Sequence, residues 1–245
     1  MGVREMQTNT ISSMKREMMR RRYSQRTIDS YLFCIEKFLS KFRKNPRKIT
    51  KKEIKDYLDD LAERNKAGST LNINLCSIRF LMEDVLHRNL YLKLKYSKRP
   101  KSLPVFMTKE ETKRFFSVVE NPKHKFMLEL MYSAGLRVSE LLNLKVRDFE
   151  SNYGWVRKGK GNKDRMFIIA DKLKKNIEDH ITNQGLKYND FLFIGRNGRM
   201  HPSSIRYIVK DAAKKAKIRK NVHPHTLRHS FGTHMAEDGC NIIEL

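Results

Sequence analysis

The stretch Ser97–Pro104 reads SKRPKSLP and decides how the chain is organised. Its two prolines interrupt any helical pattern, because proline lacks a backbone N–H and restricts the residue before it. The stretch therefore predicts a semi-extended linker between a domain of residues 1–96 and a second domain of residues 105–245. Its basic side chains are expected to lie along a phosphate backbone: Lys98, Arg99 and Lys101.

The sequence before the linker predicts a bundle of four helices. Apolar residues recur at steps of three and four through Ile28–Phe42, Ile54–Leu61 and Leu71–Val85, which places them on one face of each helix. A helix over residues 9–22 completes the bundle. The outward face at this end of the chain is basic and is expected to contact DNA, through Arg20, Arg21, Arg22 and Arg26, with Lys15 and Arg16 beside them.

Capping residues mark where three helices begin. Ser24 is an expected N-cap for the helix of residues 28–42. Thr50 and Glu53 have the spacing of a capping box, in which each side chain satisfies a free backbone N–H of the other residue. Thr108 and Glu111 repeat that spacing directly after the linker.

The sequence after the linker predicts a mainly helical domain with a small sheet, so the fold class is mainly α. Helices are expected over Lys123–Ala134, ended by Gly135, and over Thr226–Asp238, ended by Gly239. Another helix is marked by the apolar residues Ile205, Ile208, Val209, Ala212 and Ala216.

Three short strands are expected to form one antiparallel sheet. Trp155–Arg157 and Arg165–Ile169 alternate in polarity and are joined by a glycine-containing turn at Gly159–Lys163. Phe191–Ile194 supplies the third strand and is followed by the turn dipeptide Asn197-Gly198.

The charge balance points to a polyanionic partner. Lys and Arg total 52 against 27 Asp and Glu, a formal net charge of +25 that is spread along the chain. Double-stranded DNA is the favoured partner, and an anionic membrane surface is the competing one. No apolar run approaches the roughly 18 residues of a spanning helix, and the N-terminus has no apolar signal core. A cytoplasmic, DNA-associated protein is expected.

The cysteines favour a reducing compartment. Cys34, Cys76 and Cys240 lie far apart and show neither a disulfide framework nor a zinc spacing. Ordinary packing within helices is the expected role of the first two.

Three segments carry groups that handle phosphate. Residues 135–144 read GLRVSELLNL and place Arg137 in the turn before a helix, where a simple surface role is the alternative. Residues 159–165 read GKGNKDR and expose Lys160 and Lys163 at a hairpin tip. That tip lacks the spacing of a P-loop, and the alternative is a solvated turn.

The third segment, residues 223–234, reads HPHTLRHSFGTH. His225 and Arg228 are one turn apart near the expected helix N-terminus, which favours anions. His225 and His229 are four apart, as in some zinc sites, but no third ligand of the HExxH kind and no cysteine pair accompanies them. His229 and His234 are expected to be structural or solvent-facing.

In this order and spacing, the three segments resemble the catalytic domain of tyrosine recombinases, and the likeness is greatest to Xer recombinases and related phage-type integrases. The basic helical bundle and the linker match the family's SAM-like core-binding domain, so the resemblance covers nearly the whole chain. It implies site-specific DNA recombination at a partly palindromic double-stranded site, bound by a pair of protomers that assemble into a tetramer. The resemblance does not distinguish a role in chromosome dimer resolution from a role in the integration of a mobile element.

The resemblance also implies a role for each site residue. Arg137 and Arg228 would grip the non-bridging oxygens of the scissile phosphate, Lys160 would protonate the departing 5′ oxygen, and His225 would assist proton transfer. Glu140 would orient the phosphate-binding groups without contacting the phosphate itself. Lys163 and Arg165 would contact the DNA backbone. Because arginines supply the positive charge, neither a metal nor a nucleotide cofactor is required.

The family's nucleophilic tyrosine follows a Leu-Gly-His or Leu-Gly-Trp motif after this segment, and neither is found before Leu245. Tyr132 and Tyr207 are expected to pack on helices, and neither Tyr153 nor Tyr188 is expected to substitute. The chain is therefore expected to bind DNA without forming the 3′-phosphotyrosyl bond. Three explanations are open: a recombinase shortened by cloning or sequencing, a natural truncated competitor of full-length copies, and an unrelated basic helical transcription factor.

Overall fold

The computed structural model describes residues 2–88, 97, 104–157, 159, 163–195 and 198–240. The chain divides into two units, Met1–Lys101 and Ser102–Leu245. Ser97, the first residue of the expected linker, exchanges two hydrogen bonds with the side chain of Asn72, at 2.8 and 3.1 Å. The first residue of that stretch is therefore tied to the first unit, while residues 98–103 lie outside the described residues.

The first unit is a four-helix bundle, as the apolar periodicity predicts. Its helices are α1 (Val3–Arg20), α2 (Gln25–Lys41), α3 (Lys51–Glu63) and α4 (Gly68–Arg79), and α4 continues as a π-helical segment, Phe80–Val85. The largest buried side chains of its core come from all of these elements and include Met14, Ile35, Ile54, Ile78 and Leu81.

The capping signals of the first unit are confirmed. The Ser24 hydroxyl accepts a hydrogen bond from Thr27 N at 3.2 Å, and Thr50 and Glu53 form the reciprocal capping box at the start of α3. Helix α1, in contrast, begins at Val3 rather than near residue 9. Its first turns lie against the end of α2, where the Gln7 amide donates to the carbonyl oxygen of Phe42 at 2.7 Å.

The second unit is also mainly helical. Its helices are α5 (Lys109–Ser117), α6 (Pro122–Ser133), α7 (Val138–Leu141), α8 (Asp171–Asn183), α9 (Pro202–Lys215) and α10 (Pro224–Glu237). Helix α8 was not predicted from the sequence, although Leu173 and Ile177 are buried at a helical spacing of four. Helix α10 begins at Pro224, two residues before the expected start, so His225 and Arg228 both lie within its first two turns.

The strands form two small antiparallel sheets. Strands β1 (Tyr153–Val156) and β2 (Arg165–Ile168) pair as a hairpin in which Val156 faces Arg165. Strands β3 (Ile194–Gly195) and β4 (Gly198–Arg199) form the second sheet. The expectation of one three-stranded sheet is therefore wrong for the described residues.

The expected third strand forms other hydrogen bonds. Leu192 N donates to the carbonyl oxygen of Leu144 at 2.8 Å, and the imidazole Nε2 of His180 lies 2.9 Å from the carbonyl oxygen of Leu192. Both backbone groups of Leu192 are thus satisfied away from β1 and β2. The turn residue Asn197 lies outside the described residues.

Buried side chains of α6 and α10 contribute to the core of the second unit, which includes Met127, Leu130 and Leu227. Helix α6 ends at Gly135, whose φ of +54° is a left-handed conformation that suits glycine. The packing of α10 against α6 brings the Arg228 guanidinium to the carbonyl oxygen of Gly135. Among the described residues, no helix has the length and apolar composition needed to cross a membrane.

Candidate active site and nucleic-acid interface

Arg137 and Glu140 form the first ion pair of the site. Arg137 is the N-cap residue of α7, and Glu140 follows three residues later on the same short helix. The Arg137 Nη1 group donates to Glu140 Oε1 at 2.6 Å, and the Arg137 backbone N–H donates to Glu140 Oε2 at 3.0 Å. Glu140 is 4% exposed, so its carboxylate holds the arginine in place from behind.

Arg165, from the first position of β2, completes the environment of that carboxylate. Its Nη2 group donates to Glu140 Oε2 at 2.8 Å. Burial alone raises the pKa of Glu140, but the Arg137 backbone N–H and the two guanidiniums outweigh it, so the pKa lies below the ordinary value. Glu140 is therefore ionised at neutral pH and joins two segments that are 25 residues apart in sequence.

Arg228 extends from α10 towards the same place. Its Nη1 group donates to the carbonyl oxygen of Gly135, at the end of α6. Burial lowers the pKa of Arg228, and the positive charges of Arg137 and Arg165 lower it further, while Glu140 acts in the opposite direction. Three guanidiniums thus repel one another around one carboxylate. We call Arg137, Arg165, Arg228 and Glu140 the arginine cluster.

His225 lies one helical turn before Arg228. Partial burial lowers the pKa of its imidazole, and the neighbouring His223, His229, Arg137 and Arg228 act in the same direction. The neutral imidazole is therefore favoured near pH 7, which suits a group that accepts a proton. Among the described residues, no group of three or more His, Cys, Asp or Glu side chains is arranged to hold a metal ion.

A cleft of about 580 Å³ opens beside the arginine cluster. Its polar wall is formed by Arg165, Arg228 and the exposed His229. The cleft is also lined by small and aromatic residues at the end of α6 and in α10, including Ala134, Phe231 and Ala236. A cleft lined by guanidiniums is suited to an anion.

The hairpin between β1 and β2 begins beside Glu140. Gly159 N donates to the carbonyl oxygen of Lys163 at 2.9 Å, which closes the base of the turn. A Cβ on Gly159 would lie 2.9 Å from that oxygen and 3.8 Å from Glu140 Oε1, so a larger residue does not fit without a backbone shift. Lys163 is exposed, as expected, whereas Lys160 lies outside the described residues.

The basic residues expected to contact DNA in the first unit differ in their surroundings. Arg20 and Arg21 both pair with Glu17, and Arg21 also pairs with Asp84 at 2.7 Å. Arg22 follows α1 in a left-handed conformation with φ of +54° and is exposed, and the exposed Arg26 lies on α2. These residues therefore do not share one helix face. Lys98, Arg99 and Lys101 lie outside the described residues.

A second basic surface, on α9, was not predicted from the sequence. Arg206, Lys210 and Lys214 are exposed at helical steps of four, and Tyr207 beside them is 73% exposed. The expectation that Tyr207 packs inside was therefore wrong, because the buried face of α9 is formed by Ile205, Ile208, Val209, Ala212 and Ala213. The spacing of the basic residues on the opposite face was the available signal.

Tyr132 and His234, in contrast, are structural. Tyr132 packs edge-to-face on Phe116 and Phe231, as expected, and its hydroxyl lies 2.7 Å from the His234 Nδ1. His234 is buried. Neither side chain lines the cleft.

Two family models match this chain. The phage integrase family matches residues 105–245, and the N-terminal SAM-like domain of phage integrases matches residues 11–91. Together they cover both units. The first match alone spans more than half of the chain.

Curated relatives are similar over most of their length. A tyrosine recombinase XerA from Pyrococcus horikoshii is 37% identical over 226 residues, which are 89% of this chain and 76% of that protein. A tyrosine recombinase from Thermosipho africanus is 30% identical over 239 residues, which are 91% of this chain and 83% of that protein.

Solved structures show the same fold. A crystal structure of XerA recombinase is 30% identical, with a TM-score of 0.53 and coverage of 97% of this chain and 87% of the other. A lambda integrase tetramer bound to a Holliday junction is 15% identical, with a TM-score of 0.78 and coverage of 96% and 74%. The chain therefore belongs to the phage integrase family of tyrosine recombinases, whose activity is site-specific DNA recombination.

Proposed function

We propose that the arginine cluster binds the scissile phosphate of a double-stranded recombination site. The observation that carries this proposal is that Arg165 and Arg228, from two separate elements, line one open cleft, and that Glu140 joins Arg137 to Arg165. Like charges are not brought together in folded proteins without a compensating partner, and Glu140 supplies a single negative charge. A phosphodiester in the cleft supplies one further negative charge.

The proposed roles follow from the position of each group. Arg137 and Arg228 grip the two non-bridging oxygens and stabilise the charge that grows on them as a nucleophilic oxygen adds to phosphorus. The bond from phosphorus to the 5′ oxygen then breaks, and Lys160 supplies the proton that this oxygen takes up. His225, neutral near pH 7, assists proton transfer, and Glu140 keeps Arg137 in position.

The polypeptide of residues 1–245 is proposed to bind DNA without cutting it. The family chemistry needs a tyrosine that forms the 3′-phosphotyrosyl bond, and the resemblance places that tyrosine after a segment that begins at about Gly239. Tyr132 is held by His234 and its aromatic neighbours, and the exposed Tyr207 lies on α9, so neither is assigned to this step. A polypeptide that occupies the site without cutting it competes with copies that cut.

Both units are proposed to contribute to the DNA interface. The first predicted domain, residues 1–96, offers Arg20, Arg22 and Arg26, and the predicted linker, residues 97–104, offers Lys98, Arg99 and Lys101. The second predicted domain, residues 105–245, offers Lys163 on the hairpin and the basic face of α9. Lambda integrase structures of similar fold contain a dimer on a core site and a tetramer on a Holliday junction, which supports assembly of protomers on DNA.

Two measurements test the proposal. Duplexes selected by the protein from a random library should bind with an affinity that falls steeply with salt. Arg137→Gln and Arg228→Gln should each weaken binding, by roughly tenfold at low salt, because each removes a charge-assisted contact. Arg157→Gln is the matched control, because Arg157 pairs with Asp148 at 2.9 Å and is not part of the arginine cluster.

The cutting step is tested separately with a nicked suicide duplex of the selected sequence. The polypeptide of residues 1–245 should form no covalent adduct that survives denaturation. A stable adduct would show that one of its own tyrosines is the nucleophile. Unchanged affinity in both arginine variants would contradict the proposed phosphate site.

A further inference from the structure

Arg165 is bound in the same way as Arg137. Each guanidinium donates to one oxygen of Glu140, and the two side chains are equally exposed, at 34%. Arg165 also lines the cleft together with Arg228. An arginine that only contacts the DNA backbone outside the cleft does not need an ion pair with a buried carboxylate.

The guanidinium of Arg165 is incompletely satisfied within the described structure. Its Nη2 group has Glu140 as a partner, but its Nε group is buried without a hydrogen-bond partner. A buried donor without a partner is unfavourable by a free energy comparable to a lost hydrogen bond. The Arg165 guanidinium therefore has hydrogen-bonding capacity that Glu140 does not use.

The four members of the arginine cluster carry a net charge of two positive units, since three guanidiniums face one carboxylate. A phosphodiester carries one negative charge and neutralises half of this excess. When an oxygen nucleophile adds to it, the non-bridging oxygens and the departing oxygen approach a total of two negative charges, and the excess is matched. Positive groups whose total charge matches the negative charge of the transition state stabilise the transition state more than the ground state.

We infer that Arg165 is a third phosphate-binding arginine, which makes the cleft selective for a doubly charged anion over a singly charged phosphodiester. This inference rests on the proposed phosphate site and adds to it the source of its charge selectivity. Arg137 and Arg228 suffice to bind a monoanion, whereas the third guanidinium contributes mainly when a second negative charge is present. Glu140 positions Arg165 and keeps the excess charge at two units rather than three.

The test uses two small anions of fixed charge on the full polypeptide. Sulfate stands for the doubly charged state, and dimethyl phosphate stands for the phosphodiester. Dissociation constants are read at low ionic strength from the Nε–Hε NMR signal of Arg228, so that binding elsewhere on the basic surface does not contribute. The Arg157 signal serves as a reference outside the cleft.

The measured quantity is the ratio of the two dissociation constants, dimethyl phosphate over sulfate. Arg165→Gln should lower this ratio by about five- to tenfold, because one charge at close range acts more strongly on a dianion. Arg165→Lys keeps the charge and should retain most of the ratio. Arg157→Gln should leave it unchanged.

Different outcomes test the role of Arg165 in charge selectivity and the existence of the phosphate site. A ratio in Arg165→Gln equal to that of the natural sequence would show that Arg165 only supports Glu140, and the inference would be wrong. An Arg228 signal that responds to neither anion in the natural sequence would overturn the phosphate site itself. Thermal melts of both Arg165 variants establish that the measurements are made on folded protein.

Discussion

The imidazole of His234 lies 2.9 Å from the carbonyl oxygen of Met107, through its Nε2 atom. Because a carbonyl can only accept, this nitrogen carries the proton, and Nδ1 accepts from the Tyr132 hydroxyl at 2.7 Å. One turn earlier on α10, the Ser230 hydroxyl accepts from Met107 N at 2.8 Å. Both backbone groups of Met107 are thus bound by the helix that carries His225 and Arg228.

His234→Ala should lower the free energy of unfolding by about 2–4 kcal/mol. The change leaves a cavity and removes the partners of two buried groups, the Met107 carbonyl and the Tyr132 hydroxyl. Denaturant unfolding measures the effect, with His229→Ala on the exposed side of the same helix as the control. His234→Gln can donate to Met107 and should recover part of the loss, and equal losses in both His234 variants would contradict the hydrogen-bonding explanation.

Glu140→Gln should destabilise the second unit by about 2–3 kcal/mol at neutral pH, because two guanidiniums lose an ionised partner. The pKa of Glu140 is lowered in the folded state, so its stabilising contribution is complete above the ordinary glutamate pKa of about 4.3 and is lost as the pH falls through the folded value. The difference between the variant and the natural sequence should therefore shrink on acidification.

The matched control for Glu140 is Glu178→Gln, at an exposed position of α8. Urea unfolding at several pH values between about 7 and 3 gives the comparison. A difference that stays constant over this range would mean that the charge of Glu140 does not stabilise the fold.

Thr108→Ala should lower the free energy of unfolding by about 1 kcal/mol. The Thr108 hydroxyl accepts from Glu111 N at 3.2 Å, and Glu111 Oε2 accepts from Thr108 N at 2.8 Å. Thr108→Ser keeps the hydroxyl and should lose much less. If the serine variant is as unstable as the alanine variant, the packing of the threonine methyl group rather than the cap is responsible.

The slope of log affinity for DNA against log salt concentration is negative, and Arg26→Gln should reduce its magnitude by about 0.9, because one phosphate contact is lost. Arg21→Gln should change the slope less than half as much, since Arg21 is engaged by Glu17 and Asp84. Shift assays across a salt series measure both slopes. Equal changes would show that the ion pairs of Arg21 open on DNA.

Local patterns in the sequence were sufficient for much of the fold. The capping boxes at Thr50 and Thr108, the amphipathic run of α2 and the glycine that ends α6 all depend on residues within a few positions of one another. The three ordered segments around Arg137, Lys160 and Arg228 likewise indicated the family, because their residue types and order are read directly from the chain.

Contacts between distant segments could not be read in this way. Glu140 pairs with Arg165, which lies 25 residues away in sequence, and no local rule identifies Arg165 as a partner of that carboxylate. The same holds for Leu192, whose run of apolar neighbours predicted a strand but whose backbone groups bind Leu144 and His180.

The sequence by itself determined most of the helices, the division into two units and the family, because hydrophobic periodicity, caps and motifs are local properties. The tertiary structure alone decided which charges meet. It placed three arginines from separate elements around one buried carboxylate, where packing of the core brings together the end of α6, α7, β2 and α10. Electrostatic interaction depends on distance in space, and that distance is set only when the core is formed.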